Sequence, residues 1–420
     1  MSQRHWATID EEGHLIFPPE VAERLGFLPG QRIILEEHEH EVTLQAAPHA
    51  LRRVYVEVTN RCNLHCRTCI RNQWDVPYGR MTQATYDRIL EGIQAFHPLP
   101  EIFFAGFGEP LVHPEIARWV AQAKAAGARV QLITNGILLD EAKAQALVDA
   151  GLDMLWVSID AASPEGFTDV RLGAYLPLIL ENLERLNAIK ARAHGVASPW
   201  VPPRLGIATV LMQRNVQEFP EVLALGRRLG ASAYSVSNLM PYTADMQPEV
   251  LYRRTMYAGR SDTLDTRPTL SFPVLDLNEA TQPAVLAALA SGARLEFFGG
   301  RLDGQADVCP FVRRSSTSIR WDGFLSPCWP LLYDHTTYLD DRRRFVRAYH
   351  VGNIRERTLA DLWHDAEYTA LRERLAAFSF SPCVACNACE MASSNEEDCF
   401  GNTHPTCGGC LWAQGFIQCP

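Results

Sequence analysis

Between residues 54 and 238 one unit recurs along the chain: a short apolar, β-branched run, then an amphipathic stretch of helical length. Strand-like runs stand at 54–59, 101–105, 129–134, 154–159, 204–210 and 233–238. Helical stretches stand at 82–96, 114–126, 140–150, 177–193 and 216–229. Asp140 is placed to cap a helix start, and Gly127, Gly151 and Gly230 to close helix ends. Strands that alternate with helices pair in parallel, because each helix carries the chain back over one face of the sheet. Six units are fewer than the eight of a closed barrel. The expected fold is therefore α/β, a partial (β/α)6 TIM barrel.

In such barrels the working side chains gather at the C-terminal ends of the strands. Every unusual short motif in this stretch falls at such an end. The first run is followed by Cys62-Asn-Leu-His-Cys66-Arg-Thr-Cys69, the second by Gly106-Phe-Gly-Glu-Pro110 and the third by Thr134-Asn-Gly136. The fourth ends at Ser158-Ile-Asp160, the fifth runs into Met212-Gln-Arg-Asn215, and the sixth into Ser235-Val-Ser-Asn238. Each motif also has a plain structural reading. Gly106-Phe-Gly108 is a tight-turn pattern, with Glu109 a solvated charge. Asn135-Gly136 is a common turn pair, and Ser158 and Asp160 are suited to cap a helix. The cysteine triplet with His65 would make a zinc knuckle. Alternatively it offers three thiolates where a four-iron cluster takes four, leaving one iron open to a substrate or cofactor.

Apolar content of 47% and charged content of 21% over 420 residues describe a globular protein of two or three domains. No apolar stretch reaches the roughly 20 residues of a membrane helix. The opening Met1-Ser-Gln-Arg-His-Trp lacks the apolar core of a signal peptide. A reducing, cytoplasmic location is expected, where clustered cysteines signal metal more than disulfides. The net charge of −10 opposes a grip on nucleic acid, and no membrane partner is expected. The twelve cysteines are unevenly placed: three at 62–69, none at 70–308 and nine from Cys309 onward. That pattern marks one site near the start and one or two near the end.

Taken together, the strand-end motifs resemble the radical S-adenosylmethionine (radical SAM) superfamily, whose hallmark is C-x3-C-x2-C after the first strand of a partial barrel. The resemblance implies a [4Fe-4S] cluster on Cys62, Cys66 and Cys69, its open iron chelated by S-adenosylmethionine. Gly106, Gly108 and Glu109 match the glycine-rich motif that receives the methionine amino group. Asn135, Ser158 and Asp160 would lie near the carboxylate and ribose, and 210–215 with Asn238 near the adenosine. Arg171, in Arg171-Leu-Gly173, would meet the cofactor carboxylate. Many members carry an aromatic residue before the third cysteine, where this chain has Thr68. The implied chemistry is reductive cleavage of S-adenosylmethionine, with hydrogen abstraction by a 5′-deoxyadenosyl radical.

The late cysteines are Cys309, Cys328, Cys383, Cys386, Cys389, Cys399, Cys407, Cys410 and Cys419. Two C-x2-C pairs would suit one zinc. The start of this set, with Gly323 five residues before Cys328, resembles a SPASM domain. That resemblance implies one or two auxiliary [4Fe-4S] clusters that pass electrons or hold the substrate. The closing stretch from Cys407-Gly-Gly-Cys410 to Pro420 resembles the radical maturases of tungsten-containing, pterin-dependent aldehyde oxidoreductases. Residues 1–47 resemble an AbrB-type swapped-hairpin unit. They carry three Arg and no Lys against nine acidic residues, which favours docking or dimerisation over DNA.

The expected organisation is thus an AbrB-like unit (1–47), a radical SAM core (50–240), a bridging segment (241–308) and a SPASM-like domain (309–420). The implied function is maturation of a protein or its bound cofactor, with a tungsten oxidoreductase as the substrate protein. A low-potential donor such as ferredoxin or flavodoxin would supply electrons. One alternative is a maturase of ribosomal peptides or of a sulfatase-type side chain. Another is a zinc-stapled DNA-binding regulator.

Overall fold

A computed structural model describes residues 5–25, 33–37, 42–46, 50–253, 269–272, 278–290, 294–297, 300, 301, 309–339, 341–384, 386, 389–418 and 420. Its centre is a set of six parallel strands: β1 (Arg53–Val56), β2 (Glu101–Phe104), β3 (Val130–Thr134), β4 (Met154–Ser158), β5 (Arg204–Leu211) and β6 (Ala231–Asn238). They neighbour one another in chain order, as a partial barrel requires. The helices between them are α1 (Gln83–Ile93), α2 (Ile116–Ala125), α3 (Glu141–Asp149), α4 (Pro164–Val170), α5 (Leu176–His194) and α6 (Phe219–Arg228).

Why these segments form these elements is visible locally. Val54, Tyr55, Val56, Ile102, Phe103 and Phe104 are all fully buried, as expected of parallel strands covered on both faces. Each such side chain contributes about 1.5–3 kcal/mol by leaving water. Thr82, Asp140 and Ser163 cap α1, α3 and α4 by accepting the N–H of Thr85, Lys143 and Gly166. Gly127, Gly151 and Gly230 follow their helices with positive φ. The run expected as one helix at 216–229 begins with a 3-10 turn, Val216–Glu218, and becomes α-helical at Phe219.

The sheet does not stop at six strands. On the far side of β1, β7 (Ser316–Ile319) pairs in parallel, with Ser318 opposite Tyr55. Antiparallel to it lies β8 (Phe324–Ser326). A hairpin of β9 (His335–Leu339) and β10 (Arg342–Val346) follows, and β11 (Gly352–Asn353) then pairs with β8. The nine-stranded order is β6-β5-β4-β3-β2-β1-β7-β8-β11. The stretch near 359–377 reads in the sequence as one helix and is two, α7 (Leu359–Trp363) and α8 (Ala366–Ala376). The break is at Asp365, whose carboxylate caps the second by accepting from Glu367 and Tyr368 N–H.

The main apolar core runs from Leu51 through the barrel strands to Phe311, Trp363, Tyr368, Trp412 and Ile417, and Val170, Met212, Leu239 and Met246 form a small second cluster. In the bridging region Thr269–Phe272 pairs with Arg294–Phe297, which pairs with Gly300–Arg301, and a helix spans Gln282–Ala290. The N-terminal unit has hairpins Thr8–Ile9 with Leu15–Ile16 and Ile33–Glu37 with Val42–Ala46, plus a helix at Pro19–Leu25. Leu28-Pro-Gly30 reads in the sequence as a turn and lies outside the described residues. No helix among the described residues is long and apolar enough to cross a membrane.

Candidate functional site

The loop after β1 is clamped to the last turn of α4 and the residues that follow it. His65 N–H donates to Leu172 O (3.2 Å) and Arg67 N–H to Val170 O (3.0 Å). The Arg67 guanidinium meets Asp169 (3.3 Å), which also takes Arg214 (2.6 Å). The loop after β2 presses against the loop after β1. A Cβ on Gly106 (φ +148°) would lie 2.5 Å from Glu57 Cγ, and one on Gly108 would lie 2.0 Å from Thr59 O. Both positions therefore need glycine.

Glu109 is 3% exposed. Its Oε1 accepts from Thr134 Oγ1 (2.7 Å) and Leu111 N–H (3.0 Å), and its Oε2 from Asn135 N–H (2.8 Å). Burial pushes this carboxyl up from its ordinary value while those hydrogen bonds pull it down. One carboxylate thus ties the ends of β2 and β3 together. Asn135 Nδ2 reaches across to Asn63 Oδ1 (2.9 Å) and stands 3.8 Å from Cys62 Sγ. Asp160, at the end of β4, is 1% exposed. It accepts Val210 N–H (2.8 Å) and pairs with Arg171 Nε at 2.8 Å. Arg171 Nη1 lies 4.0 Å from Cys66 Sγ.

These pieces enclose one cleft of about 790 Å³, lined by Cys62, Cys66, Cys69, Gly106, Gly108, Glu109, Asn135, Ser158 and Arg171. Asp160 is not on its wall and stands behind Arg171. Asn238 is also absent from it. It lines an adjoining cavity of about 710 Å³ that shares Thr68, Ser158, Arg171 and Tyr242 with the cleft. Its Nδ2 donates to Phe416 O (2.9 Å), so the amide is engaged by the closing segment of the chain.

Burial pushes all three thiols up, Cys69 to about 11. Bare, they stay protonated at neutral pH, and only a cation among them makes them thiolate ligands. A single zinc holds sulfurs about 2.3 Å away, hence less than about 4.6 Å from one another. Among the described residues the set of three ligand atoms within 4.8 Å is Asp10, Glu12 and His14, and no three cysteine sulfurs come that close. Three spread sulfurs around a roomy cleft fit a multi-iron cluster better than one ion.

The late cysteines are sorted by the fold. Cys309, Cys328, Cys407 and Cys410 line a third, largely apolar cavity of about 820 Å³. Burial, then the neighbouring cysteines, push Cys328 and Cys407 well above the usual thiol range. Cys383 is buried, with its sulfur 3.0 Å from Ser381 Oγ. Cys386, Cys389 and Cys399 are exposed, and Cys419 lies outside the described residues.

This chain is 30% identical over 373 residues to the tungsten-containing aldehyde ferredoxin oxidoreductase cofactor-modifying protein of Pyrococcus furiosus, covering 88% of this chain and 97% of that one. The family model described as the radical SAM superfamily matches residues 56–210. The chain belongs to the radical SAM superfamily. A model described as an iron-sulfur cluster-binding domain, SPASM, matches residues 309–390. The PqqA peptide cyclase of Gluconobacter oxydans is 30% identical over 207 residues, covering 48% of this chain and 52% of that one. In fold, this radical SAM chain is similar to Streptococcus suis SuiB bound to the precursor peptide SuiA. The TM-score is 0.51 at 14% identity, over 80% of this chain and 70% of that one. It is also similar to anSMEcpe with bound AdoMet, with TM-score 0.50 at 14% identity over 81% and 88%. The protein is thus a radical SAM enzyme: its cofactors are a [4Fe-4S] cluster with S-adenosylmethionine and auxiliary iron–sulfur clusters on the SPASM domain.

Sequence reasoning passed over three residues of this site. Glu57, 1% exposed, accepts Phe107 N–H (3.0 Å) on one oxygen and the Tyr333 hydroxyl on the other. Trp74 packs edge-on against Tyr333 at 4.4 Å and Phe107 at 5.5 Å. Arg344 is buried in the third cavity. Only Glu57 carried a signal, an acid inside an otherwise apolar strand run.

Proposed function

We propose that this enzyme is a maturase that modifies a protein or protein-bound cofactor, that of a tungstopterin-dependent aldehyde oxidoreductase. The observation that carries this reading is the likeness to the Pyrococcus furiosus cofactor-modifying protein, which runs through 97% of that protein.

In this reading Cys62, Cys66 and Cys69 hold the radical-generating [4Fe-4S] cluster. Gly106, Gly108 and Glu109 receive the amino group of S-adenosylmethionine, and Asn135, Ser158 and Arg171 its carboxylate and ribose. Bound there, cluster and cofactor supply the radical that takes a hydrogen atom from the substrate. The chain's own part is placement. Glu109 fixes the glycine loop against β3, and Asp160 orients Arg171 from behind. Tyr242, Trp329 and Trp412 wall the adjoining cavity and keep water from the reacting atoms. Cys309, Cys328, Cys407 and Cys410 hold one auxiliary cluster. Cys383, Cys386, Cys389, Cys399 and Cys419 supply the ligands of a second. A ferredoxin or flavodoxin supplies the electron.

A peptide substrate is the second reading, favoured by the likeness to the PqqA peptide cyclase. Against it, the bulky apolar side chains of Trp329, Trp412 and Ile417 line the cavity beside the cleft, which suits a compact group better than an extended chain. The test is anaerobic reconstitution. The protein should carry about eight to twelve irons at four per cluster. It should cleave S-adenosylmethionine when reduced and restore activity to a tungsten oxidoreductase isolated from cells lacking it. An oxidoreductase equally active from such cells, with cofactor cleavage intact, overturns this choice of substrate. A colourless protein holding only zinc ends the reading altogether.

A further inference from the structure

Arg344, on β10, is 3% exposed and lies in the wall of the cavity shared by Cys309, Cys328, Cys407 and Cys410. Its guanidinium donates to one carbonyl, Ala392 O at 3.3 Å. Among the described residues it has no carboxylate partner. Burial pulls its guanidinium down from the usual arginine range, the sulfurs of Cys410, Cys383 and Cys407 act the other way, and the like-charged Arg342 adds to the downward pull. Contact with the cysteine turn is close: a Cβ on Gly409 would lie 1.7 Å from Arg344 Nη1. The glycine of Cys407-Gly-Gly-Cys410 is therefore what lets the guanidinium lie on that turn.

A cation taken out of water without a counter-ion is strongly unfavourable. Among the described residues, the groups around Arg344 are a carbonyl, cysteines and the like-charged Arg342, and of these ionised sulfur is the one able to supply the missing charge. We propose that Arg344 is the counter-ion of an auxiliary iron–sulfur cluster on Cys309, Cys328, Cys407 and Cys410, and that it holds the reduction potential of that cluster up. This rests on the assignment of those cysteines made above. The potential of such clusters follows net charge, hydrogen bonds to sulfur and solvent exposure. One-electron reduction by an external donor adds one negative charge to a site that is already anionic. A fixed cation in a low-dielectric cavity favours that charge. The guanidinium also carries N–H donors beyond the one spent on Ala392. Arg344 acts here through the cluster, as a positioning and tuning residue.

The test is a redox titration of the anaerobically reconstituted holoenzyme with dithionite, followed by electron paramagnetic resonance, on wild type, Arg344→Met and Arg344→Lys. Arg344→Met should keep its iron and lower the equilibrium constant for reducing one auxiliary cluster about tenfold, a midpoint about 59 mV more negative. The cluster on Cys62, Cys66 and Cys69 should not move, and Arg344→Lys should recover most of the shift. Full iron with an unmoved auxiliary midpoint in Arg344→Met overturns the proposal, because a merely structural arginine leaves the potential alone. Should Arg344→Met lose iron, wild-type iron content and midpoint in Arg344→Lys is the expected signature of a counter-charge. Loss of that iron in both variants overturns it. Wild-type protein with iron only at the first cluster defeats the cysteine assignment itself, which separates that failure from a failure of Arg344's role.

Discussion

Cys66 and Glu57 show what single residues contribute. Cys66 lines the cleft beside Arg171 and shares nothing with the third cavity. Cys66→Ala should abolish S-adenosylmethionine cleavage and remove about four irons, leaving the auxiliary iron bound; normal cleavage by that variant would refute the site. Glu57 makes a prediction about pH. Burial pushes its carboxyl up to about 7, against hydrogen bonds from Tyr333 and Phe107 that pull it down. The native state thus holds this proton more tightly than the unfolded chain, whose carboxyl titrates near its ordinary 4.5. The contribution is full below about pH 4.5 and is lost as pH rises through about 7. Wild-type stability should fall by up to about 3 kcal/mol across that window, and Glu57→Gln should flatten the fall. Urea unfolding at pH 5, 6, 7 and 8 measures it, and parallel curves for the two proteins would count against it. The cysteines and glycines of the site were legible because few residue types bind iron or allow so close a backbone approach. Glu57 was not, because its partner Tyr333 is 276 residues away.

At the scale of elements, loops carry the site and strands aim it. Gly108 sits where the loop after β2 meets the loop after β1, with no room for a side chain. Gly108→Ala should leave the barrel folded, with unchanged circular dichroism. It should weaken S-adenosylmethionine binding at least tenfold, about 1.4 kcal/mol; calorimetric titration of the reconstituted protein decides. Five of the six barrel strands were readable as apolar runs bounded by turn residues, and β6, with three serines and an asparagine, by its place in the repeat. β7 was not: three of its four residues are Ser316, Thr317 and Ser318, a polar sequence with no strand signature. They are nonetheless buried. Ser316 Oγ donates to Phe311 O and Thr317 Oγ1 to Ser326 O, both at 2.9 Å. Tertiary hydrogen bonding overrides local preference there.

Across the whole molecule, the closing segment bridges the open side of the barrel. Gln418 N–H donates to Ser237 Oγ (3.0 Å) and Asn238 Nδ2 to Phe416 O (2.9 Å), both on β6. Pro420 O accepts from Arg53 of β1 (3.0 Å) and from Arg314 (3.1 Å). With β7 paired between β1 and β8 in one sheet and a large core shared by both parts, residues 50–253 and 309–418 should unfold together. Tryptophan fluorescence and the visible absorbance of the auxiliary clusters should share one denaturant midpoint; two separated transitions would contradict this. The sequence by itself determined the repeating βα pattern, the strand-end placement of the cysteine triplet and the glycine motif, and the abundance of late cysteines. These are local signals, set by periodicity and by residue types that few other chemistries use. Only the tertiary structure decided which late cysteines share a cavity, that Asn238 is held by Phe416, and that the buried Arg344 lies on the Cys407–Cys410 turn. Those facts depend on which distant segments pack together, and spacing along a chain does not encode distance across a core.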